Sequence, residues 1–342
     1  MDFIDLPMAW AFLLAVAVFL YVLLDGFDLG VGILFPFAEK DEDRDVMMNS
    51  VAPVWDGNET WLVLGGGGLF AAFPKAYAAL MPAVYMPIGF MLIALIFRGV
   101  AFEFRFKATG SGRRVWDQAF HWGSVVATFA QGLVLGALVQ GITLTDGRFT
   151  GGMFDWLTPF SFVTGCALVW GYALLGSGWL VIKTEGRLQD WSRRVGVASA
   201  AITLLMMIVV SFWVPALDAA AADRWGLRYP EVDWSRLLPL TPVPILVAFA
   251  FWRLVTGLRG GATYSPYLWT VVLFLLGYAG LLIGIYPYLV PYQLTIHQAA
   301  AAPNAQGLLL VGAVVMLPVI LGYTAYVYWV FRGKVTAGAG YH

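Results

Sequence analysis

The sequence predicts an all-α membrane protein, a polytopic bundle of about nine transmembrane helices with its N-terminus outside and its C-terminus in the cytoplasm. Three observations carry that prediction. Hydrophobic residues fill 60% of the 342 positions and charged residues only 12%, and the mean hydropathy of +0.77 lies far from that of water-soluble proteins. Nine stretches each supply the roughly 20 mostly apolar residues that cross a hydrocarbon core about 30 Å thick. The basic residues between those stretches fall mainly on one side.

The stretches run over residues 8–36, 56–73, 76–100, 118–142, 157–182, 194–216, 238–258, 267–290 and 306–331. A helix satisfies its own backbone groups in lipid, so each is read as a helix. The first is expected to remain as a span. Its leader "MDFIDLPMAW" carries Asp2 and Asp5, and no Lys or Arg precedes Lys40, the reverse of a signal peptide's basic start. The breaks are polar: "FPFAEKDEDRDVMMNSVAP" follows the first stretch, "AFPKAY" the second, "FRFKATGSGRRVWD" the third and "DAAAADRWGLRYPEVDWSR" the sixth. With nine spans, 15 of the 20 Lys and Arg residues share one side, among them Lys40, Arg44, Arg98, Arg105 and Arg332. Lys75, Arg148, Arg224, Arg228 and Arg236 share the other. The positive-inside rule makes the first side cytoplasmic. No segment is long and polar enough to fold apart, so residues 1–342 are read as a single transmembrane domain.

A formal charge of -1, without a basic tract interleaved with aromatics, sets nucleic acid aside as a partner. Cys166 is the only cysteine, which excludes an intrachain disulfide and paired-cysteine metal sites. The three histidines are scattered: His121 starts the fourth span, His297 lies in an outer loop and His342 ends the chain. They form no spaced ligand pair, so no metal and no haem is expected on this chain's own side chains. Most tryptophans fall near span ends, as an aromatic belt requires.

The informative residues are carboxylates. Asp25 and Asp28, in "YVLLDGFDLGVGIL", share a helix face. A rise of about 1.5 Å per residue puts them roughly 16 Å and 12 Å inside the end near Pro36. Asp56 and Glu59, in "VWDGNETW", repeat the spacing on the returning span, so two acidic pairs are expected to meet near one depth. No Lys or Arg lies in either segment, although Arg98 could approach from the third span. Burying such groups costs several kcal/mol unless they are paired or protonated. A cluster of this kind near the cytoplasmic face suits proton uptake, each carboxylate passing a proton on through water. The competing reading is local: "DG" as turn chemistry, and the acids as helix caps. Gly26 with Gly30, and the run Gly65 to Gly68, fit close helix packing better than phosphate binding, because no Lys-Ser or Lys-Thr follows. Trp61, one turn beyond the second acidic pair, is marked for a role of its own.

Three segments carry a resemblance: "DGFDLGVG", "APVWDGNETWLVLGGGGLFAAFPKAYA" and "LGYTAYVYWVFRGKV" resemble subunit II of the cytochrome bd-type quinol oxidases. The likeness runs over almost the whole chain and is most specific in residues 25–105. The wording "GNETWLVLGGGG" and the short chain are similar to the cyanide-insensitive branch. The resemblance implies a quinol:oxygen oxidoreductase of an aerobic respiratory chain in the bacterial cytoplasmic membrane. It implies a partner, subunit I, which carries two b-type haems and one d-type haem and oxidises quinol at its outer face. The complex reduces oxygen to water and separates charge without pumping. By resemblance, Asp25, Asp28 and Asp56 match acidic positions tied to haem environment and proton supply, and Trp61 matches a position near an oxygen route. Glu59 joins the proton path from spacing alone, because many family members carry another polar residue there. A structural quinone or lipid on this chain, and a small single-span subunit, are compatible with the resemblance.

Two other classes share features with this one. A proton-coupled secondary transporter also buries carboxylates, but it is expected to show repeat symmetry and a broken helix in each half. A purely structural subunit needs no acidic cluster.

Overall fold

Residues 6–34 are apolar at nearly every position, and in lipid only an unbroken helix satisfies such a backbone. A computed structural model, describing residues 5–218, 222–223, 225–227 and 232–336, has that helix as α1 (Leu6–Leu34). Asp2, Arg224, Arg228 and His342 lie outside the described residues. After α1 come α2 (Asp41–Val51), α3 (Trp55–Ala72), α4 (Pro74–Phe104), α5 (Ser111–Gln140), α6 (Pro159–Lys183) and α7 (Gly186–Leu217). The remaining helices are α8 (Trp234–Leu240), α9 (Pro242–Arg259), α10 (Ser265–Ile285), α11 (Ile296–Ala299) and α12 (Pro303–Val330).

Among the described residues, eight helical segments are long and apolar enough to cross a membrane, α8 and α9 counting together. The remaining stretch of the nine, α3, has 18 residues and is diluted by its polar first turn and its glycine run. Its ends nevertheless reach opposite ends of the bundle. At its C-terminus the Ala72 carbonyl accepts from the Ala301 N–H at 2.9 Å and from Gln306 Nε2 at 3.0 Å. Nearby, His297 Nε2 lies 2.9 Å from Asp5 and Trp10 Nε1 donates to the Gln306 carbonyl. At the other end Arg105 meets Asp45 at 2.6 Å, and Arg187 pairs with Glu39 and Asp43. There Lys334 Nζ also donates to the Thr184 carbonyl and Arg193 to that of Ala262. These ties alternate along the chain as nine crossings require.

Several elements exceed the sequence expectation. Helices α5 and α7 begin at Ser111 and Gly186, well before the apolar windows at 118 and 194. Their added turns carry Arg113, Arg114, Asp117, Arg187 and Asp190, so an apolarity window does not see them. The loop after α1 contains α2, whose first turn holds Asp41, Glu42 and Asp43 against the positive end of the helix dipole. Two small hairpins, Leu144–Thr145 with Arg148–Phe149 and Tyr288–Val290 with Leu294–Thr295, occupy loops near the N-terminal end. The first turns on Asp146 and Gly147, both at positive φ, the Asp-Gly signature of a two-residue hairpin loop. The stretch expected to reach 290 ends as helix at Ile285, where Pro287 and Pro291 lie ahead.

Close packing inside the bundle uses small residues, because lipid provides no hydrophobic drive between helices. A Cβ at Gly30 would lie 1.9 Å from the Tyr172 carbonyl, and one at Gly176 would lie 2.3 Å from the Gly30 carbonyl carbon. Helices α1 and α6 therefore touch backbone to backbone. Gly132 and Gly136 do the same for α5 against α6. The glycine expectation holds unevenly in α3: Gly68 meets Leu14, whereas Gly66 and Gly67 have nothing within 4 Å.

Candidate functional site

The α1–α6 contact forces the "DGFDLGVG" stretch into the middle of the bundle, and both Asp25 and Asp28 are fully buried. Neither is a turn or a cap. The helix runs through them, and its cap is Asp5, whose side chain accepts from the Met8 N–H at 3.1 Å. The local reading of these two acids therefore fails.

The centre of the site is Arg98, deep in α4 and fully buried. Its Nη1 donates to Asp25 Oδ1 at 2.7 Å, and Nη2 lies 3.8 Å from Asp28 Oδ2. The side chain of Glu59, 28% exposed, lies 3.9 Å away. Asn58 Nδ2 donates to Asp28 Oδ2 at 2.7 Å and to the Leu24 carbonyl at 3.2 Å. Tyr328 donates its hydroxyl to Asn58 Oδ1 at 2.8 Å. On the other flank, the Tyr172 hydroxyl donates to Gln131 Oε1 at 2.8 Å, and Gln131 Nε2 donates to the Tyr21 oxygen at 2.7 Å. Six helices thus converge on one polar core. Asp25 Oδ2, Asp28 Oδ1 and Arg98 Nε and Nη2 have no hydrogen-bond partner among the described residues.

The site differs from the expected one in composition. Three of the four predicted carboxylates meet, and they meet around a cation. Asp56 stands on the exposed face of α3, where its charge acts on Glu59 while it makes no ion pair with Arg98. At about 100° per residue, the buried Asn58 lies roughly 200° around the helix from Asp56. Asn58 and the nearly buried Trp61 mark the inner face, and Glu59 lies at its edge. Asp56 is in the first turn of α3, where a carboxylate suits the helix dipole. Arg98 is likewise no loop cation and leaves the cytoplasmic tally. A lone Arg inside "LIALIFRGVAF" was the signal for it; Asn58 had none beyond lying between two acids. Trp61 packs with Ala17 and Tyr21, beside the polar core, and its indole N–H has no partner among the described residues.

The two described histidines, His121 and His297, are occupied elsewhere. His121 Nδ1 lies 3.1 Å from the Gly32 carbonyl, and His297 faces Asp5 at the N-terminal end of the bundle. Among the described residues no group of three or more His, Cys, Asp or Glu is arranged to hold a metal ion.

The profile of the family described as cytochrome bd terminal oxidase subunit II matches residues 6–331. The chain is 30% identical over 365 residues to the cytochrome bd-I ubiquinol oxidase subunit 2 of Escherichia coli K12, covering 98% of this chain and 96% of the relative. It is 28% identical to the cytochrome bd ubiquinol oxidase subunit 2 of Bacillus subtilis 168, with 96% of each covered. A solved chain of the bd oxidase from Geobacillus thermodenitrificans has the same fold, with a TM-score of 0.74 at 16% identity, covering 96% of this chain and 99% of that one. The long apolar helices and these bacterial relatives make it a multi-pass protein of the bacterial cytoplasmic membrane. The chain belongs to the subunit II family of the cytochrome bd terminal oxidases.

Proposed function

We propose that this chain, within its quinol oxidase, supplies cytoplasmic protons for the reduction of oxygen through the carboxyl cluster at Arg98. The observation that carries the reading is the buried group of three carboxyls around one guanidinium, with Glu59 as its partly open member. Reduction of oxygen to water takes up one proton for each electron, and those protons must cross the apolar half of the membrane. Glu59 receives the proton at the open edge. Asp28 and Asp25 hold it in the sealed interior, and the fixed charge of Arg98 keeps the carboxyls within reach of one another. Asp56, whose charge acts on Glu59, stands on the exposed surface that the partner covers.

The orientation that fits is N-terminus outside and C-terminus cytoplasmic, since the end rich in Lys and Arg is then the one nearer the cluster. By the family resemblance, subunit I carries two b-type haems and one d-type haem, and this chain carries none. The face of α3 that presents Asp56, Gly57, Thr60, Gly66 and Gly67 suits subunit I, because polar groups and open glycines in lipid call for a protein neighbour. A lipid or quinone tail would fit the open cleft of about 440 Å³ between α4 and the first hairpin, lined by Met81, Tyr85, Met86, Phe149 and Met153. A small single-span subunit would add to the same assembly. The whole chain acts as one membrane domain in this reading.

The test is Asp28→Asn in the assembled oxidase. That change keeps shape and hydrogen bonding while removing the exchangeable proton. Haem content should stay full, and the oxygen-reduction rate should fall, with the deficit widening at high pH where protons are scarce. Glu59→Gln should act in the same direction. Full turnover by both variants at every pH would end the proposal.

A further inference from the structure

The segment "LGYTAYVYWVFRGKV" ends in a helix that is hardly part of the bundle. None of the most apolar window of α12 is buried. It is tied at its start by Gln306, and beyond its end Lys183 Nζ holds the Phe331 and Gly333 carbonyls while the Val335 N–H donates to the Lys183 carbonyl at 2.8 Å. Between those ties, Tyr328 carries a polar group into the interior. Tyr328 is half-buried, its ring set edge-on to Phe27 and Trp179, and its hydroxyl donates to Asn58.

The direction of that bond is fixed by the rest of the network. Asn58 Nδ2 points at the Leu24 carbonyl, which can only accept, and at Asp28 Oδ2. The amide oxygen must therefore face Tyr328, and the Tyr328 hydroxyl must donate to it. With Oδ2 of Asp28 taken by the Asn58 amide, a proton carried by Asp28 sits on Oδ1, the oxygen with no hydrogen-bond partner among the described residues. Removing the Tyr328 hydroxyl leaves a buried amide oxygen unpaired and frees the Asn58 side chain to swing.

We propose that Tyr328 is a positioning residue for the carboxyl cluster: its hydroxyl fixes Asn58, Asn58 fixes Asp28, and the working geometry of the cluster thereby depends on how α12 is seated. This rests on the proton-supply reading above. The charged and titratable groups that face Asp28 are Asp25 on its own helix, Glu59 on α3, Arg98 on α4, Tyr267 on α10 and Tyr328 on α12. Of these groups, Tyr328 belongs to the helix least held by the bundle, with none of its most apolar window buried.

The experiment compares Tyr328→Phe, Asn58→Ser and Asp28→Asn in the purified complex, as oxygen-reduction rate per haem across a pH range. Tyr328→Phe keeps the ring and its packing. Its rate should fall on the order of threefold to tenfold, the effect of one lost hydrogen bond to a buried network, with the deficit growing at high pH as in Asp28→Asn. Adding Tyr328→Phe to Asn58→Ser should cost nothing more, since both act on one chain of contacts. A wild-type profile in Tyr328→Phe beside an altered one in Asp28→Asn would overturn the positioning role and leave the proton reading standing. An unaltered Asp28→Asn would overturn both. Loss of haem in Tyr328→Phe and Asn58→Ser alike would assign the contact to assembly, and that too would overturn the proposal.

Discussion

Arg98 sets one positive charge among three carboxyl groups, and all of its side chain is buried. Removing one partner of a buried ion pair leaves the other uncompensated, a loss of about 3–5 kcal/mol. Arg98→Gln should therefore destabilise the subunit severely, read as a large drop in the thermal midpoint or in the yield of assembled complex. Combining it with Asp25→Asn should recover part of that loss, because the stranded carboxylate goes too. How legible this site was follows from the same residues. Asp25 and Asp28 stood out because an apolar run has no other use for them. Glu59 was found by spacing, and spacing did not show that Asp56 stands on the exposed face of α3, since an i, i+3 pair says that two residues are near each other and not which way the helix turns them. Asn58 was passed over because an amide between two acids looks like surface.

At the scale of the helix, contact between backbones is the constraint that single residues can break. Gly30→Ala would press a methyl against the Tyr172 carbonyl and push α1 off α6, a loss of about 1–3 kcal/mol that a melting curve would register. A Cβ at Gly67 has no neighbour within 4 Å among the described residues, so Gly67→Leu points its side chain off the bundle. It should leave the subunit folded and weaken its association with subunit I, measured as the fraction that co-purifies. Helix ends tell a different story, visible in the N-terminal cap. The hydrogen bond from His297, and after it that from Met8, holds the Asp5 carboxyl below its ordinary value of 3.8. A carboxyl held low in the folded state stabilises the protein above the unfolded value, and the contribution is lost as pH falls through the folded one. Asp5→Asn should thus melt earlier than the parent near neutral pH, with the difference shrinking as pH drops below about 4. The helices themselves were readable from apolar length. Their polar ends were not, since the turns that carry Arg113 or Arg187 look like loop to any measure of hydropathy, and the Asp146-Gly147 hairpin was hidden in a segment too short to show alternation.

Across the whole molecule, the ties between loops alternate from end to end, and this is what makes the odd number of crossings testable. A reporter fused after Gly110 or after Lys334 should signal cytoplasm, and one inserted at Gly147 should signal the outer side. An outer location for Gly110 would reverse the assignment of ends. The buried ion pair also has a consequence in time. Helices leave the ribosome in order, so α1 meets the lipid with Asp25 and Asp28 well before α4 brings the guanidinium. A charged residue at the centre of a lone helix raises the cost of insertion by on the order of 2.5–3.5 kcal/mol. The first three spans, α1, α3 and α4, are therefore expected to settle into the membrane together, the early ones held provisionally by the insertion machinery until Arg98 emerges. A chain cut after Ala72 should be extracted easily from membranes by alkaline carbonate, one cut after Phe104 should resist, and the longer fragment carrying Arg98→Gln should behave like the shorter.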